Sequence, residues 1–442
     1  MTTSPVYLSF SRFLRLSFVC VGLLWLSACA MNPVTGRNEL ALMQVTPAQE
    51  VQLGMRAYPA AIQQMGGEVP DLQLQGYVQQ VGKRVAIVGH RPEFEYQFRV
   101  VNQPAPNAFA LPGGYIAITR GLLARLENEA QLAAVLGHEI VHVTARHAVQ
   151  GLQRGALTQL AVSLLGQTTG NQQYGSLAMQ AGQVGAQLLE NSFSREQERE
   201  SDRIGIDYMV AAGYDPRGAI GLQEVFLRME NQQQEDWLNN LFRTHPFSKE
   251  RLASNRRYIE TRYTGITGSS KSYLGKDAYQ KAIRYVLETE PGYQLYSQAL
   301  TQESSGQSNL AIQTLHEALK FAPQEALIHT AIGLAYLRQE DLLSARRYFR
   351  QAIELDSDHY QSQMGLGYVH LKRKEFPSSV RFLKRGVDLL ATTQGVYLLG
   401  EAFMGTGQLQ DAAESFRAVV DADRNGRLGQ AAQKRLAELE MR

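Results

Sequence analysis

Three glycines, Gly333, Gly367 and Gly400, stand 34 and then 33 residues apart toward the end of this 442-residue chain. The same pattern recurs around each. Gly333 is followed by Tyr336, Ala345, Phe349 and Ala352; Gly367 by Ser379, Leu383 and Gly386; Gly400 by Phe403, Ala412 and Phe416. An earlier, degenerate copy shows Ala311, Leu315, Ala318 and Pro323. Such a period, filled with helical spacing, constrains the fold more than composition does. Each unit is a helix pair that cannot bury its own apolar face, so the units must stack into an α-solenoid. The small residues let paired helices approach, and the aromatic ones fill the space between hairpins.

The pattern resembles the tetratricopeptide repeat, expected over 291–442, where it offers either a concave binding groove or a packing wall for the other half. A Gly/Ser/Thr stretch, "TGITGSSKSYLG", opens a segment read as a linker, 265–290. The remaining length suffices for another core. Lys+Arg 44 against Asp+Glu 42 leaves a formal charge of +2, so no global field draws the chain to nucleic acid or an anionic membrane.

The N-terminus reads as a signal peptide, 1–29. Arg12 and Arg15 precede an apolar run from Leu16 to Leu26, far short of the roughly 20 residues that span a bilayer. Leu26-Ser27-Ala28-Cys29 resembles a bacterial lipobox, which makes Cys29 a candidate lipidation site; plain cleavage nearby is the alternative. Ala30, in place of an acidic residue, resembles lipoproteins sorted to the outer membrane. The other cysteine, Cys20, lies in the segment to be discarded, so the mature chain is expected to have no disulfide.

Between these ends, 30–264 reads as mainly α with one small β-sheet. "FEYQFRVVN" (94–102) and "GGYIAITRGLL" (113–123) are strand-like around a Pro/Asn-rich turn. "LAAVLGHEIVHVTARHAV" (132–149) follows. On a helix His138 and His142 lie one turn apart and converge on one ion, with Glu139 flanking it; a buried polar stripe is the competing reading. A third ligand decides between them. His147 falls one position short of the metzincin spacing, with Ala145 and Ala148 where that pattern needs Gly and His. Downstream, "NSFSREQERESDRIGIDYMVAAGYDP" (191–216) puts Glu198 and Asp202 on one helix face, where one can ligate a metal and the other hold a ligating imidazole. A solvated acidic face is the alternative.

Taken together, "PNAFALPGGYIAITRGLL", "HEIVHVTARH" and "REQERESD" resemble, in order, the gluzincin zinc metallopeptidases of the membrane heat-shock protease and C-a-a-X prenyl endopeptidase family. Arg195, Glu198 and Asp202 fall on its R-x-x-E-x-x-A-D pattern, with Ser201 for the usual alanine. The resemblance, over roughly 32–260, implies one Zn2+ per chain held by His138, His142 and Glu198. It also implies Asp202 as the partner orienting His138 and Glu139 as the base that takes the proton of the attacking water. "RTHPFSKERL" (243–252) resembles a segment in which a histidine caps the zinc, mapping to His245; Arg251 would contact substrate or developing negative charge.

Within the family the chain resembles the soluble periplasmic branch with C-terminal repeats. That likeness implies misassembled outer-membrane proteins as substrates and their β-barrel assembly machinery as partner. It places the chain in the periplasm, with a membrane link only through a lipid on the inner leaflet of the outer membrane, and gives no nucleic-acid partner. The strand around Ala108 to Tyr115 is the expected site of substrate strand addition. The Gln/Gly-rich stretch 166–186 is the expected lid, against a plain surface loop. A different class of function, a non-proteolytic assembly scaffold or chaperone docking through the repeats, is the alternative.

Overall fold

The computed structural model describes residues 29–32, 34–40, 45–154, 176–190, 192–231, 244–246, 248–269 and 272–441. β1 (Cys29–Met31) pairs antiparallel with β2 (Asn38–Leu40). Helix α1 (Pro47–Gln64) begins at a capping box in which Thr46 and Gln49 satisfy each other's backbone, and α2 (Leu72–Ala86) begins at Asp71, whose carboxylate accepts from two backbone N–H groups.

Three strands follow, β3 (Gln97–Val101), β4 (Ala108–Leu111) and β5 (Tyr115–Thr119), ordered β3-β5-β4, with β3 parallel and β4 antiparallel to β5. The outer edge of β3 is occupied by side chains of α2: Gln79 accepts from Phe98 N at 2.8 Å and Gln75 from Val100 N at 2.9 Å. That leaves β4 as the edge on which a further strand can add. Against β4 runs α3 (Glu129–Thr144), buried on nearly every face and capped by Asn128. The helices α4 (His147–Arg154), α5 (Ser176–Glu190), α6 (Arg195–Ala211), α7 (Arg217–Asn231) and α8 (Lys249–Arg262) complete this half.

Of the expected lid, residues 166–175 lie outside the described residues. The rest begins α5, a helix on α1, where Gln64 Nε2 donates to Gly182 O at 3.1 Å. The segment read as a linker differs more. It contains α9 (Lys276–Ala282) and the start of α10 (Arg284–Ser304), which runs through Pro291 and thus across the expected boundary. Tyr279, Ile283 and Val286 share the core of the first half, and Tyr279 OH donates to Leu123 O at 2.7 Å. Their helical spacing was masked by the polar run before them.

From α10 four hairpins stack: α10 with α11 (Ser308–Phe321), α12 (Ala326–Arg338) with α13 (Leu342–Leu355), α14 (Tyr360–Lys372) with α15 (Phe376–Leu389), and α16 (Thr393–Thr406) with α17 (Leu409–Ala422). Helix α18 (Arg427–Glu440) closes the stack. The repeat glycines sit where helices touch. A Cβ would meet Phe349 from Gly333 and Leu383 from Gly367 at 2.7 Å, and Phe416 from Gly400 at 2.8 Å. Among the described residues no helix is long and apolar enough to cross a membrane.

The solenoid folds back on the first half. Arg120, just after β5, and Glu325, just before α12, are both fully buried and 3.1 Å apart. Glu325 also accepts from Asn102 Nδ2, Tyr285 OH and Tyr293 OH, each at 2.8 Å, so both carboxylate oxygens are matched. Removing one partner strands a buried charge. Glu325→Ala should therefore lower stability by roughly 3–5 kcal/mol in chemical denaturation, while Arg120→Met with Glu325→Leu recovers most of it; single variants within about 1 kcal/mol of wild type would contradict this.

His359 opens a second prediction. Buried at the start of α14, its Nδ1 contacts Ser362 Oγ at 2.8 Å while Nε2 finds no partner among the described residues, and burial pushes the ring down to about 4. The unfolded chain takes up this proton near pH 6.5, which the folded chain resists until about pH 4, so stability falls as pH drops through that window. The full loss is on the order of 3 kcal/mol. His359→Gln should melt with a shallower decline between pH 7 and 4.5; an unchanged slope would refute the assignment.

Candidate metal centre

Two glycines bring the pieces together. A Cβ on Gly137 would lie 2.9 Å from Gly205 O, and one on Gly205 2.9 Å from His138 N, so α3 and α6 cross at a separation only glycine permits. The crossing lays the first turns of α6 beside His138 and His142. Ser194 caps α6 in a box with Gln197, and the acidic first turn suits the positive end of the helix dipole.

Four side chains, His138, His142, Glu198 and His245, each offer one ligand atom within 4.8 Å of the others. His138 Nε2 and His142 Nε2 are 3.1 Å apart; Glu198 Oε2 lies 3.5 Å from the first and Glu198 Oε1 3.4 Å from the second. Donors around a tetrahedral zinc, each at about 2.0–2.1 Å, stand about 3.3 Å apart, so this set fits that ion in chemistry and in spacing. Asp202 Oδ1 lies 3.1 Å from His138 Nδ1. His245 follows from "RTHPF": its Nδ1 is 3.0 Å from Glu198 Oε1 and its Nε2 3.8 Å from Glu139 Oε1.

The electrostatics are those of a tightly held cluster. Burial opposes protonation of His138, but Glu198 and Asp202 override it and push the ring up to about 10. Burial holds His142 well below its ordinary range. Burial would raise Glu198, yet His245, His138 and Arg251 hold it well below the usual carboxylate range. Glu139 goes the other way: burial raises it against the pull of His245 and His138, and its Oε2 has no hydrogen-bond partner among the described residues. Beside it opens a pocket walled by Leu122, Val135, Ile206, Leu222 and Phe226.

The residues read from the sequence as ligands, base and orienting carboxylate thus meet in one place, with one difference. Arg251 lines that pocket, but its guanidinium is engaged by the carboxylates of α6. Its Nη1 donates to Glu198 Oε2 at 2.7 Å, and its Nε and Nη2 to Asp202 at 2.8 and 2.6 Å, because two buried carboxylates on one helix face need a cation. Cys29, the candidate lipidation position, opens β1, three residues before Asn32, whose Nδ2 donates to Ala145 O at the end of α3.

Sequence reasoning missed Phe193, whose ring lies over His142 at 3.8 Å between centroids, and the glycine pair. The signal for the latter was a glycine just before His138 and another three residues after Asp202. His147, set aside as a direct ligand, stands behind His142.

Residues 72–259 match Peptidase family M48, and residues 330–392 match the tetratricopeptide repeat. The chain is 31% identical over 237 residues to the beta-barrel assembly-enhancing protease of Escherichia coli K12, covering 52% of this chain and 47% of that one. It is 34% identical over 187 residues to the mitochondrial metalloendopeptidase OMA1 of Schizosaccharomyces pombe, covering 41% and 52%. The chain thus spans about half the length of these relatives.

Because Arg251 ties Glu198 and Asp202 together, Arg251→Met should weaken zinc binding by about 10–100-fold in chelator competition with little change in helical content. Unchanged affinity would show that the carboxylates hold their places unaided.

Proposed function

We propose, on the premise that residues 72–259 form a Peptidase family M48 domain, that the chain is a zinc metalloendopeptidase. His138, His142 and Glu198 hold the ion, Asp202 orients His138 and Glu139 is the base. The observation that carries this reading is the convergence of three donors beside a buried carboxylate oxygen with no hydrogen-bond partner among the described residues.

A zinc ion held there supplies the Lewis acidity that lets water ionise near neutral pH and polarises the scissile carbonyl. The chain's own residues do the rest. Glu139 takes the water proton at Oε2 and returns it to the leaving amine; burial raises its proton affinity toward the value such a shuttle needs. The β4 edge pairs with an extended peptide, reading little sequence, while the apolar pocket receives one side chain. His245, against both Glu198 and Glu139, occupies the approach to the ion and keeps the enzyme latent until it swings away.

The likeness to the β-barrel assembly-enhancing protease, the repeats and the N-terminal segment support a finer reading. The substrates are unfolded or misassembled outer-membrane proteins, met in the periplasm by a chain tethered through Cys29. The repeats deliver it to the β-barrel assembly machinery.

Glu139→Gln should keep one zinc per chain and lose hydrolysis of an unfolded outer-membrane protein by roughly 10²–10⁴-fold, whereas His245→Ala should raise the basal rate. Wild-type hydrolysis by zinc-loaded Glu139→Gln would overturn the proposal.

A further inference from the structure

We infer that His147 and Glu200 form a positioning relay that fixes the ring of His142 and aims its Nε2 lone pair at the metal. This rests on the zinc reading above. His138 has Asp202 on its far nitrogen; among the described residues His142 has no carboxylate there. Instead His142 Nδ1 lies 2.9 Å from His147 Nδ1, and His147 Nε2 lies 3.3 Å from Glu200 Oε2. All three side chains are buried.

The direction of the protons follows from chemistry. One hydrogen must lie between the two Nδ1 atoms. Were it His147's, a neutral His142 would carry its own proton on Nε2, the atom facing His138 and Glu198, and could not ligate. An ionised Glu200 only accepts, so it draws the His147 proton to Nε2 and leaves Nδ1 bare. His142 then donates from Nδ1 and offers Nε2 to the ion. A ligating imidazole is held and made more basic by a partner of this kind.

The backbone is shaped for the contact. Just past the end of α3, Arg146 takes φ 62°, a left-handed conformation that disfavours a side chain by roughly 1–2 kcal/mol. That turn sends the chain back so that His147 reaches His142 from behind. It is held on both sides: Arg146 forms an ion pair with Glu50 and donates from Nη2 to Val45 O, and Asn32 and Gln150 both donate to Ala145 O, at 2.9 and 3.0 Å. Strain kept in place by this many bonds marks a site where the geometry matters. Outside the relay, Arg37 Nε lies 3.5 Å from Glu200 Oε1.

The test uses the full chain with zinc, and with cobalt(II) as a spectroscopic probe, because d–d bands report ligand geometry independently of activity. His147→Phe keeps the bulk but removes the acceptor: zinc affinity should fall about 10–100-fold and the cobalt bands should shift. His147→Asn places an oxygen near the lost Nδ1 and should restore affinity to within a few-fold of wild type. If His147→Phe does not fold, Glu200→Ala decides, with an expected loss of several-fold and the same direction of band shift. Wild-type affinity and bands in His147→Phe, or in Glu200→Ala where it must decide, would overturn the relay while leaving the zinc reading intact. Zinc affinity unchanged by His138→Ala would overturn the zinc reading itself.

Discussion

The crossing of α3 and α6 at Gly137 and Gly205 is the contact on which the candidate site depends. Neither helix tolerates a Cβ at that point, and one residue away on α3 stands His138. Only at this separation do the carboxylates of Glu198 and Asp202 reach both histidines. A wider crossing leaves a His pair on one helix and an acidic turn on another, which is how each segment reads in isolation.

Closeness creates an electrostatic problem that the surrounding residues answer. Glu198 and Asp202 are withdrawn from water, and a buried charge is tolerated only when paired and hydrogen-bonded. Arg251 spans both, His138 stands between them with one ring nitrogen toward each, and His245 closes over Glu198. Glu139 keeps one oxygen without a hydrogen-bond partner among the described residues. The same logic recurs at Arg120 and Glu325, where one buried pair with tyrosine and asparagine partners fastens the solenoid to the sheet whose β4 edge faces the site. In both places the fold concentrates charge where it needs position.

Much of this was legible in the sequence because periodicity and spacing are local. The 34- and 33-residue glycine intervals gave the solenoid, and two histidines one turn apart gave half of the donor set. The two carboxylates needed a likeness to a known family to be chosen over a solvated face. What escaped was tertiary. No spacing says that Arg251 turns inward to two carboxylates, or that Phe193 covers His142. The helices across 276–304 hid behind a polar run, since a Gly/Ser/Thr stretch signals a loop without saying where the loop ends. His147 matches no ligand spacing along its own helix, because its place behind His142 depends on a left-handed residue that no side-chain pattern announces.

The central claim is that one zinc ion is held jointly by α3 and α6. A crystal structure of the zinc-loaded chain, with the ion located by its anomalous signal, tests it most directly. The account predicts Nε2 of His138 and of His142 at about 2.0–2.1 Å and a Glu198 oxygen at about 2.0–2.2 Å. An ion bound by the two histidines with Glu198 more than about 4 Å away would contradict it.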